Sequence, residues 1–478
     1  MASGHADLAV VGAGAAGLYA ALRAAREGAR VVLVSATPLA ETSSYWAQGG
    51  IAAALAAPDS PERHLEDTLR AGRGAVRPSA ARALVVEAPG AVHDLVGLGV
   101  RFDADREGRL ALGLEGGHSE RRVVHAGGSA TGRRVTRQLA ADVAEDDGIE
   151  VWEPTRAIAL RIHEGRCVGL DADDGRTLTA RAVVLATGGA AALWARTTNP
   201  PGATGRGLAI AWAAGAALAD LELVQFHPTA VVGIAGVEGF LVTEAVRGEG
   251  GTLLDGGGER FVDELAPRDE VARAVAAQED VVHLDMRHVD HERFPNVVTA
   301  LRGAGLDPAR DLVPVAPAAH YVMGGIVADR DGRSTLPGLF AVGECSCTGL
   351  HGANRLASNS LSECFVWGAR AARAGLEEPA PAAAGEPAPP PPATLAPPTP
   401  ATRDALWRRA GLERDAEGLA ALAGDTHPLA RLVARCALDR EETRGAHVRS
   451  DHPALDPAWD GHHAVLTGDE APLAQRWS

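Results

Sequence analysis

Two stretches of the chain carry side chains able to hold an anion and act on it. Between positions 225 and 322, His227, Thr243, Glu244, Arg247, Arg268 and His320 fall in four short runs, QFHPT, LVTEAVRGEGG, LAPRD and PAAHYVMGGI. Further on, Arg355 lies beside His351 and Asn354 in a glycine-rich loop that follows the apolar run Leu339 to Val342 and the acid Glu344. A guanidinium is a planar fork of donors that can grip a carboxylate through two bonds at once, and imidazole and hydroxyl groups add neutral partners. A single arginine in a loop is ordinarily just solvated; here the loop has company. Glu115 and His118 flank the glycine pair of LEGGHS, which reads either as a polar turn or as a third part of a site.

These groups need a scaffold, and the glycines indicate one. Asp7 to Gly17, DLAVVGAGAAG, is a buried strand running into Gly12, Gly14 and Gly17, followed by an alanine-rich helix with Gly28 as its stop and a second strand, Arg30 to Val34. That spacing is a βαβ unit whose turn can accept a pyrophosphate at the helix N-terminus. The second strand ends in Ser35 where NAD-binding units commonly place an acid, so FAD stays open where NAD is less well supported. Glu41 to Gly50, ETSSYWAQGG, is a hydroxyl-rich loop able to wrap a ring system, or a plain helix cap at Ser43. Thr177 to Gly189 reads as a strand pair ending in ATGG, giving a third strand-to-glycine turn near 188 to join those near 14 and 343. Three such turns suit one large dinucleotide. A helix is expected to open at Ser358 to Leu361.

Composition removes several function classes. With 478 residues the chain can bury a large core, and a formal charge of −16 argues against nucleic acid or an anionic membrane as partner. All 46 basic residues are arginine. Without lysine there is no Schiff-base chemistry and no Walker-type phosphate loop. The five cysteines match no zinc or iron–sulfur spacing; Cys345 and Cys347 could pair on a metal, but small-residue packing is the simpler reading. No apolar run reaches 18 residues and Met1 to Asp7 has no signal pattern, so a cytoplasmic protein is expected.

The motifs QFHPT, TEAVRGEGG, APRD, AAHYVMGGI and GLHGANRLASNSL, with RCALDREETRGAH at 435–447, resemble the succinate dehydrogenase and fumarate reductase flavoprotein family, and within it the L-aspartate oxidases. The resemblance covers about Asp7 to Ala372 in unbroken order. It implies an α/β fold: an FAD-binding Rossmann-like domain (1–224 and 323–376) interrupted by an α+β capping domain (225–322), then a Pro/Ala-rich linker (377–402) and a shortened helical C-terminal segment (403–478). It places FAD against Gly12, Gly14, Ala15, Ala16, Gly17, Ser35, Ser43, Gln48, Gly49, Gly50, Ala186, Thr187, Gly188, Glu344, Asn359, Ser360 and Leu361. It places a dicarboxylate against His227, Thr243, Glu244, His320 and Arg355, with Arg268 near the bond that changes and Arg268, His227 and His320 as the catalytic set.

The implied reaction is oxidation of L-aspartate to iminoaspartate, with oxygen or fumarate as electron acceptor and a quinolinate synthase downstream to consume the unstable product. The alternative is a soluble fumarate reductase or succinate dehydrogenase flavoprotein subunit. Succinate-oxidising relatives have an apolar residue where this chain has Glu115, and a carboxylate there is an economical way to recognise the ammonium group that distinguishes aspartate. Relatives in membrane complexes attach flavin through a histidine five residues before the Gln of the AQGG-type loop. Ser43 holds that position here, with no histidine between Glu41 and Gly50, so non-covalent FAD is expected. Two departures stand out: TGRG (Thr204 to Gly207) where members carry TGDG, and the shortened C-terminal region.

Overall fold

The computed structural model describes residues 3–39, 42–388, 396–468 and 470–478, so Glu41 and the middle of the proline-rich stretch, 389–395, lie outside the described residues. The strand Ser3–Val11 is central because every side chain in its apolar half, Leu8 to Val11, is buried. It pairs in parallel with Val31–Val34 on one side and Thr177–Leu185 on the other. Ile149–Trp152 extends the sheet beyond Val31–Val34, Arg166–Ala172 and Ala157–His163 extend it antiparallel beyond Thr177–Leu185, and the short strand Leu339–Ala341 adds in parallel to Thr177–Leu185. The stretch expected to be a strand pair is therefore one nine-residue strand, Thr177–Leu185. Nothing within TLTARAVVL supplies a turn residue, and its antiparallel partner, Arg166–Ala172, lies upstream.

Helices Ala15–Arg26 and Asn359–Leu376 pack together over this sheet, which brings the first glycine turn, the turn after Leu185 and the loop after Leu339–Ala341 to one sheet end. A nucleotide crevice belongs there, outside the carboxyl ends of the strands.

The chain leaves this layer at Val224 and builds a second, antiparallel sheet. Its order is Val224–Val231, Val313–Val322, Val282–Asp285, Thr252–Leu254, with a separate apolar cluster that includes Val246, Val271, Leu284, Met286 and Leu301. Register shifts fall between Gln225 and Phe226 and between His227 and Ala230. Such bulges re-aim side chains, and here they set the direction of Gln225 and His227 inside a strand buried along its whole length.

The C-terminal region is helical through Asp439, as Pro400–Arg409, Ala416–Leu422 and Pro428–Asp439. It then adds a hairpin, His462–Leu466 with Leu473–Arg476, onto a five-stranded sheet that also contains Leu218–Ala219 and Gly325–Val327. Far from hanging free, it shares a core with the sheet layer, since Leu406, Leu419 and Leu432 are buried with Trp194 and Leu208. The proline-rich stretch is also less detached than its composition suggests. Glu386–Pro387 pairs with the edge strand Ala157–His163, where a missing N–H is tolerated, and Pro400 opens a helix whose first turn is capped by Thr399. Among the described residues, no helix is long and apolar enough to cross a membrane.

Candidate functional site

At the first glycine turn the three glycines do different work. A Cβ on Gly17 would lie 1.9 Å from the Gly12 carbonyl oxygen, and one on Gly12, whose φ is +107°, would lie 2.3 Å from the Ala186 oxygen. Both positions are closed by backbone. A Cβ on Gly14 would meet only the Ser44 hydroxyl, at 3.2 Å, and Gly188 has nothing within 4 Å. Gly14 and Gly188 thus border open space while Gly12 and Gly17 hold strand and helix together. Ala15 and Ala16 form the buried first turn of the helix, and the Ala15 N–H donates to Ser44 Oγ at 3.1 Å. The hydroxyl that reaches this turn is Ser44. Ser43 begins the short 3-10 turn Ser43–Trp46, which has no buried residue.

Several polar groups around this space have no protein partner. Thr187 Oγ1 and Gln48 Oε1 are buried without a hydrogen bond, although Gln48 Nε2 donates to the Leu241 carbonyl at 2.7 Å and so ties the loop to the inserted sheet. Glu344 accepts the Val322 N–H at 3.1 Å, and burial raises its carboxyl to about 7. Ser35 donates to the Thr37 carbonyl at 2.5 Å, shaping the turn after the second strand. Asn359 is committed elsewhere, with Oδ1 2.8 Å from His64 Nε2 and Nδ2 donating to Thr68 Oγ1 at 3.1 Å. Open space at two glycines, a hydroxyl and an amide oxygen without partners and a carboxylate held by one N–H fit a large polar cofactor such as FAD.

The residues expected to hold an anion do converge. Arg268 opens the helix Arg268–Ala276, is 8% exposed, and donates through Nε to Glu244 and through Nη1 to Gln225 Oε1 at 3.0 Å. Gln225 in turn donates to Asn354 Oδ1 at 2.9 Å and to the Arg355 carbonyl at 2.7 Å, linking the inserted sheet to the loop after Leu339–Ala341. Burial opposes a charge on Glu244, yet Arg268 and Arg247 keep its carboxyl below the usual range. Arg355 is buried, lies 4.6 Å from the Tyr321 ring centre and donates through Nη1 to Ser360 Oγ at 3.0 Å, while its Nε has no partner. Burial, and then Arg268, lower its guanidinium to about 10. A buried cation so poorly matched by acids calls for an anionic ligand.

His227 and His320 face each other with ring centres 5.0 Å apart. His320 Nδ1 lies 2.8 Å from Thr198 Oγ1, and His227 Nε2 is buried without a partner. Burial, reinforced by Arg268, holds both imidazoles well below their ordinary pKa, so they are neutral near pH 7. Thr243 is buried beside Glu244 and accepts the Ala245 N–H at 3.4 Å.

Glu115 reaches this assembly from the base. It is 2% exposed, accepts the Ser358 hydroxyl at 2.6 Å and lies 3.3 Å from His125 Nε2. Burial works against its charge, but His125, Ser358 and Arg268 hold it ionised, at about 2. A Cβ on the neighbouring Gly116 would sit 2.0 Å from Glu244 Oε1, and one on Gly49 would be 3.8 Å from Glu115 Oε1, so Glu115 stands between the Gln48 to Gly50 loop and Glu244. His118 points away, bound by Arg122 Nη1 at 2.8 Å and close to the Ala357 carbonyl at 2.9 Å.

Ser44, Gln225, Tyr321 and Ser358 were not among the residues singled out from the sequence. Gln225 heads the QFHPT run and could have been included, but Ser358 could not. Its role rests on a left-handed backbone, φ 60°, that turns its hydroxyl away from helix capping toward Gly50 and Glu115. Cys345 and Cys347 do not form a pair. Cys345 Sγ contacts the Leu185 carbonyl at 3.1 Å, and Cys347 Sγ lies 3.6 Å from Asp220 Oδ2.

Comparison with known proteins identifies the family. The FAD binding domain model matches residues 7–361, and the fumarate reductase flavoprotein C-terminal model matches 418–474. The L-aspartate oxidase of Caulobacter vibrioides is 46% identical over 97% of this chain and 97% of its own. That of Streptomyces coelicolor is 41% identical over 98% of this chain and 93% of its own. Among solved structures, a mutated E. coli quinol fumarate reductase chain superposes with a TM-score of 0.89 at 29% identity, covering 99% of this chain and 96% of that one. A buried carboxylate set between the arginines, on a fold shared with fumarate reductase, accompanies a sequence aligned end to end with aspartate-oxidising enzymes, and the chain belongs to the L-aspartate oxidase family of FAD-dependent flavoproteins.

Proposed function

We propose that this chain oxidises L-aspartate to iminoaspartate with FAD, passing the electrons to oxygen, which gives hydrogen peroxide, or to fumarate. This is the first step of NAD biosynthesis de novo, carried out in the cytoplasm. Residues 225–322 form a cap over an FAD-binding base, and substrate lies between the two. Bound FAD supplies the two-electron acceptor for the hydride that leaves the substrate Cα. The flavin is held without a covalent bond by the turn at Gly12 to Gly17, by Gln48 to Gly50, by Ala186 to Gly188, by Glu344 and by the start of the helix Asn359–Leu376.

The protein's share of the work is orientation and charge. Arg355 grips one substrate carboxylate; His227, His320 and Thr243, as neutral donors, hold the other. Glu115 accepts the substrate ammonium, which fixes the handedness of Cα. Held by groups on both the base and the cap, the reacting bond has little freedom, and that ordering supplies much of the rate gain. As the hydride leaves Cα the substrate nitrogen must shed a proton, and Arg268, locked by Glu244 and Gln225 beside the reacting bond, serves that proton transfer. Iminoaspartate is unstable in water, so a quinolinate synthase acting next is the fitting consumer.

The observation that carries this reading is a Glu115 that is buried, accepts the Ser358 hydroxyl at 2.6 Å and feels the Arg268 charge. Purified enzyme should release hydrogen peroxide with L-aspartate and not with succinate or D-aspartate; equal rates with succinate would reverse the assignment. Acid precipitation should leave the yellow colour in the supernatant, and flavin remaining with the pellet would contradict non-covalent binding.

A further inference from the structure

Away from this site, a groove of about 940 Å³ runs between the start of the helix Pro78–Gly97 and the C-terminal strand, and none of the site residues lines it. Its volume falls within the roughly 300 to 1,000 Å³ of small-molecule pockets. Three arginines on its wall, Arg82, Arg330 and Arg476, are exposed, and none has an acidic partner among the described residues. The anionic groups on the wall are already engaged: Glu87 by Arg370, Asp460 by Arg444 Nη1 at 2.9 Å, and the Ser478 terminal oxygen by Ser79 Oγ at 2.6 Å and Arg77 Nε at 3.2 Å. On a chain of net charge −16, an uncompensated cationic groove is a local inversion of sign.

One further wall residue is aromatic. Trp477 stacks on the buried His463, with ring centres 4.0 Å apart and planes 21° from parallel, so the indole is pinned in place where it borders the groove. Val76, Ala83 and the 61%-exposed Val86 supply apolar surface. A simple inorganic anion would use neither the indole nor this volume, and an apolar molecule would leave three guanidinium groups unmatched. We propose that the groove binds a nucleoside diphosphate or triphosphate, with the phosphates on Arg82, Arg330 and Arg476 and the base against Trp477, at a site separate from that of the cofactor. Base stacking on an aromatic ring and guanidinium–phosphate pairing are each common in nucleotide recognition.

The test uses the full chain saturated with FAD, so that an adenine nucleotide cannot enter the cofactor site. Calorimetric titration with ADP, pyrophosphate and adenosine separates phosphate from base. ADP should bind saturably with Kd below about 1 mM, and more tightly than pyrophosphate. The double variant Arg82→Glu, Arg330→Glu, whose changes are exposed, should weaken ADP at least tenfold and keep its L-aspartate oxidation. Trp477→Leu should bring ADP down to the affinity of pyrophosphate. The proposal is overturned by any of four results: no saturable ADP binding, displacement of ADP by added FAD, unchanged affinity in the double variant, or pyrophosphate binding as tightly as ADP.

Discussion

Ser358 holds Glu115 in place: its hydroxyl donates to Glu115 Oε2 at 2.6 Å while accepting the Gly50 N–H at 3.1 Å, from a backbone at φ 60°. One side chain thereby fixes both the carboxylate proposed to read the substrate ammonium and the loop proposed to lie along the flavin. A serine in the left-handed region costs about 1 kcal/mol, and a hydrogen bond to a buried charge is worth roughly 1.5 to 3 kcal/mol, so the bond outweighs the strain.

Replacing Ser358 separates these two terms. Ser358→Ala keeps the strain and loses the bond, and should lower the melting temperature and raise KM for L-aspartate. Ser358→Gly also loses the bond but relieves the backbone, so it should melt above the alanine variant while sharing its raised KM. Thermal denaturation and steady-state kinetics on both variants make the comparison. Equal KM values for parent and variants would show that Ser358 does not position Glu115.

The glycines of the first turn give a second contrast. Gly17→Ala puts a methyl group 1.9 Å from the Gly12 carbonyl and should prevent correct packing of strand and helix, seen as insoluble or unfolded protein. Gly14→Ala meets only the Ser44 hydroxyl at 3.2 Å, which can rotate away, so the apoprotein should keep its melting temperature. FAD affinity should nonetheless fall by about tenfold or more, because the methyl intrudes where the pyrophosphate approaches. Fluorescence titration of apoprotein with FAD reads this directly. An unchanged FAD affinity would mean that Gly14 does not face the cofactor.

These glycines were legible in the sequence because their requirement is local: strand, turn and helix follow one another directly, from Ser3 to Arg26, and spacing alone shows it. The polar runs that carry Arg268, His320 and Arg355 were equally legible, since arginine and histidine in largely apolar surroundings attract attention wherever they occur. Ser358 was not, because its role depends on a dihedral angle and on partners more than two hundred residues away. The aim of His227 depends on register shifts that no composition reveals. The C-terminal hairpin was missed for another reason. His462–Leu466 is buried along most of its length, so it lacks the alternation that marks a half-exposed strand, while Leu473–Arg476 is exposed throughout.

The buried histidines predict how stability varies with pH. Burial brings His64 down to about 3 and holds His227 and His320 well below their usual range, whereas in the unfolded chain each titrates near 6.5. Below that value the unfolded state takes up protons that the folded state refuses, so these three histidines make stability fall as pH drops from about 6.5 toward 5, against the opposite contribution of Glu344, whose carboxyl burial raises to about 7. Glu115 acts in a lower window. Its carboxyl is at about 2 in the fold against 4.5 unfolded, so its contribution is complete above 4.5 and is lost only as pH falls toward 2. Melting curves of the apoprotein at pH values of about 7.5, 6.5 and 5.5 should show a steady decline over the last interval. A flat profile would mean that these imidazoles are protonated in the folded protein.

We propose that substrate choice turns on Glu115. Aspartate and succinate share two carboxylates and differ by one ammonium group, so contacts from Arg355, His227, His320 and Thr243 cannot tell them apart. Glu115 can, because, although burial works against its charge, His125, Ser358 and Arg268 hold its carboxyl at about 2. A charge-assisted bond to the ammonium is worth roughly 1.5 to 3 kcal/mol, or one to two decades of affinity. Glu115→Gln keeps the shape and an acceptor oxygen but removes the charge, so L-aspartate binding should weaken by about tenfold or more while succinate binding stays nearly constant. Measuring both ligands by flavin absorbance is essential, since a general collapse of the pocket, for instance through loss of the Ser358 contact, would weaken them together. If the variant binds L-aspartate as tightly as the parent, the ammonium lies elsewhere, and Glu244, whose Oε1 is buried without a partner, becomes the next carboxylate to test.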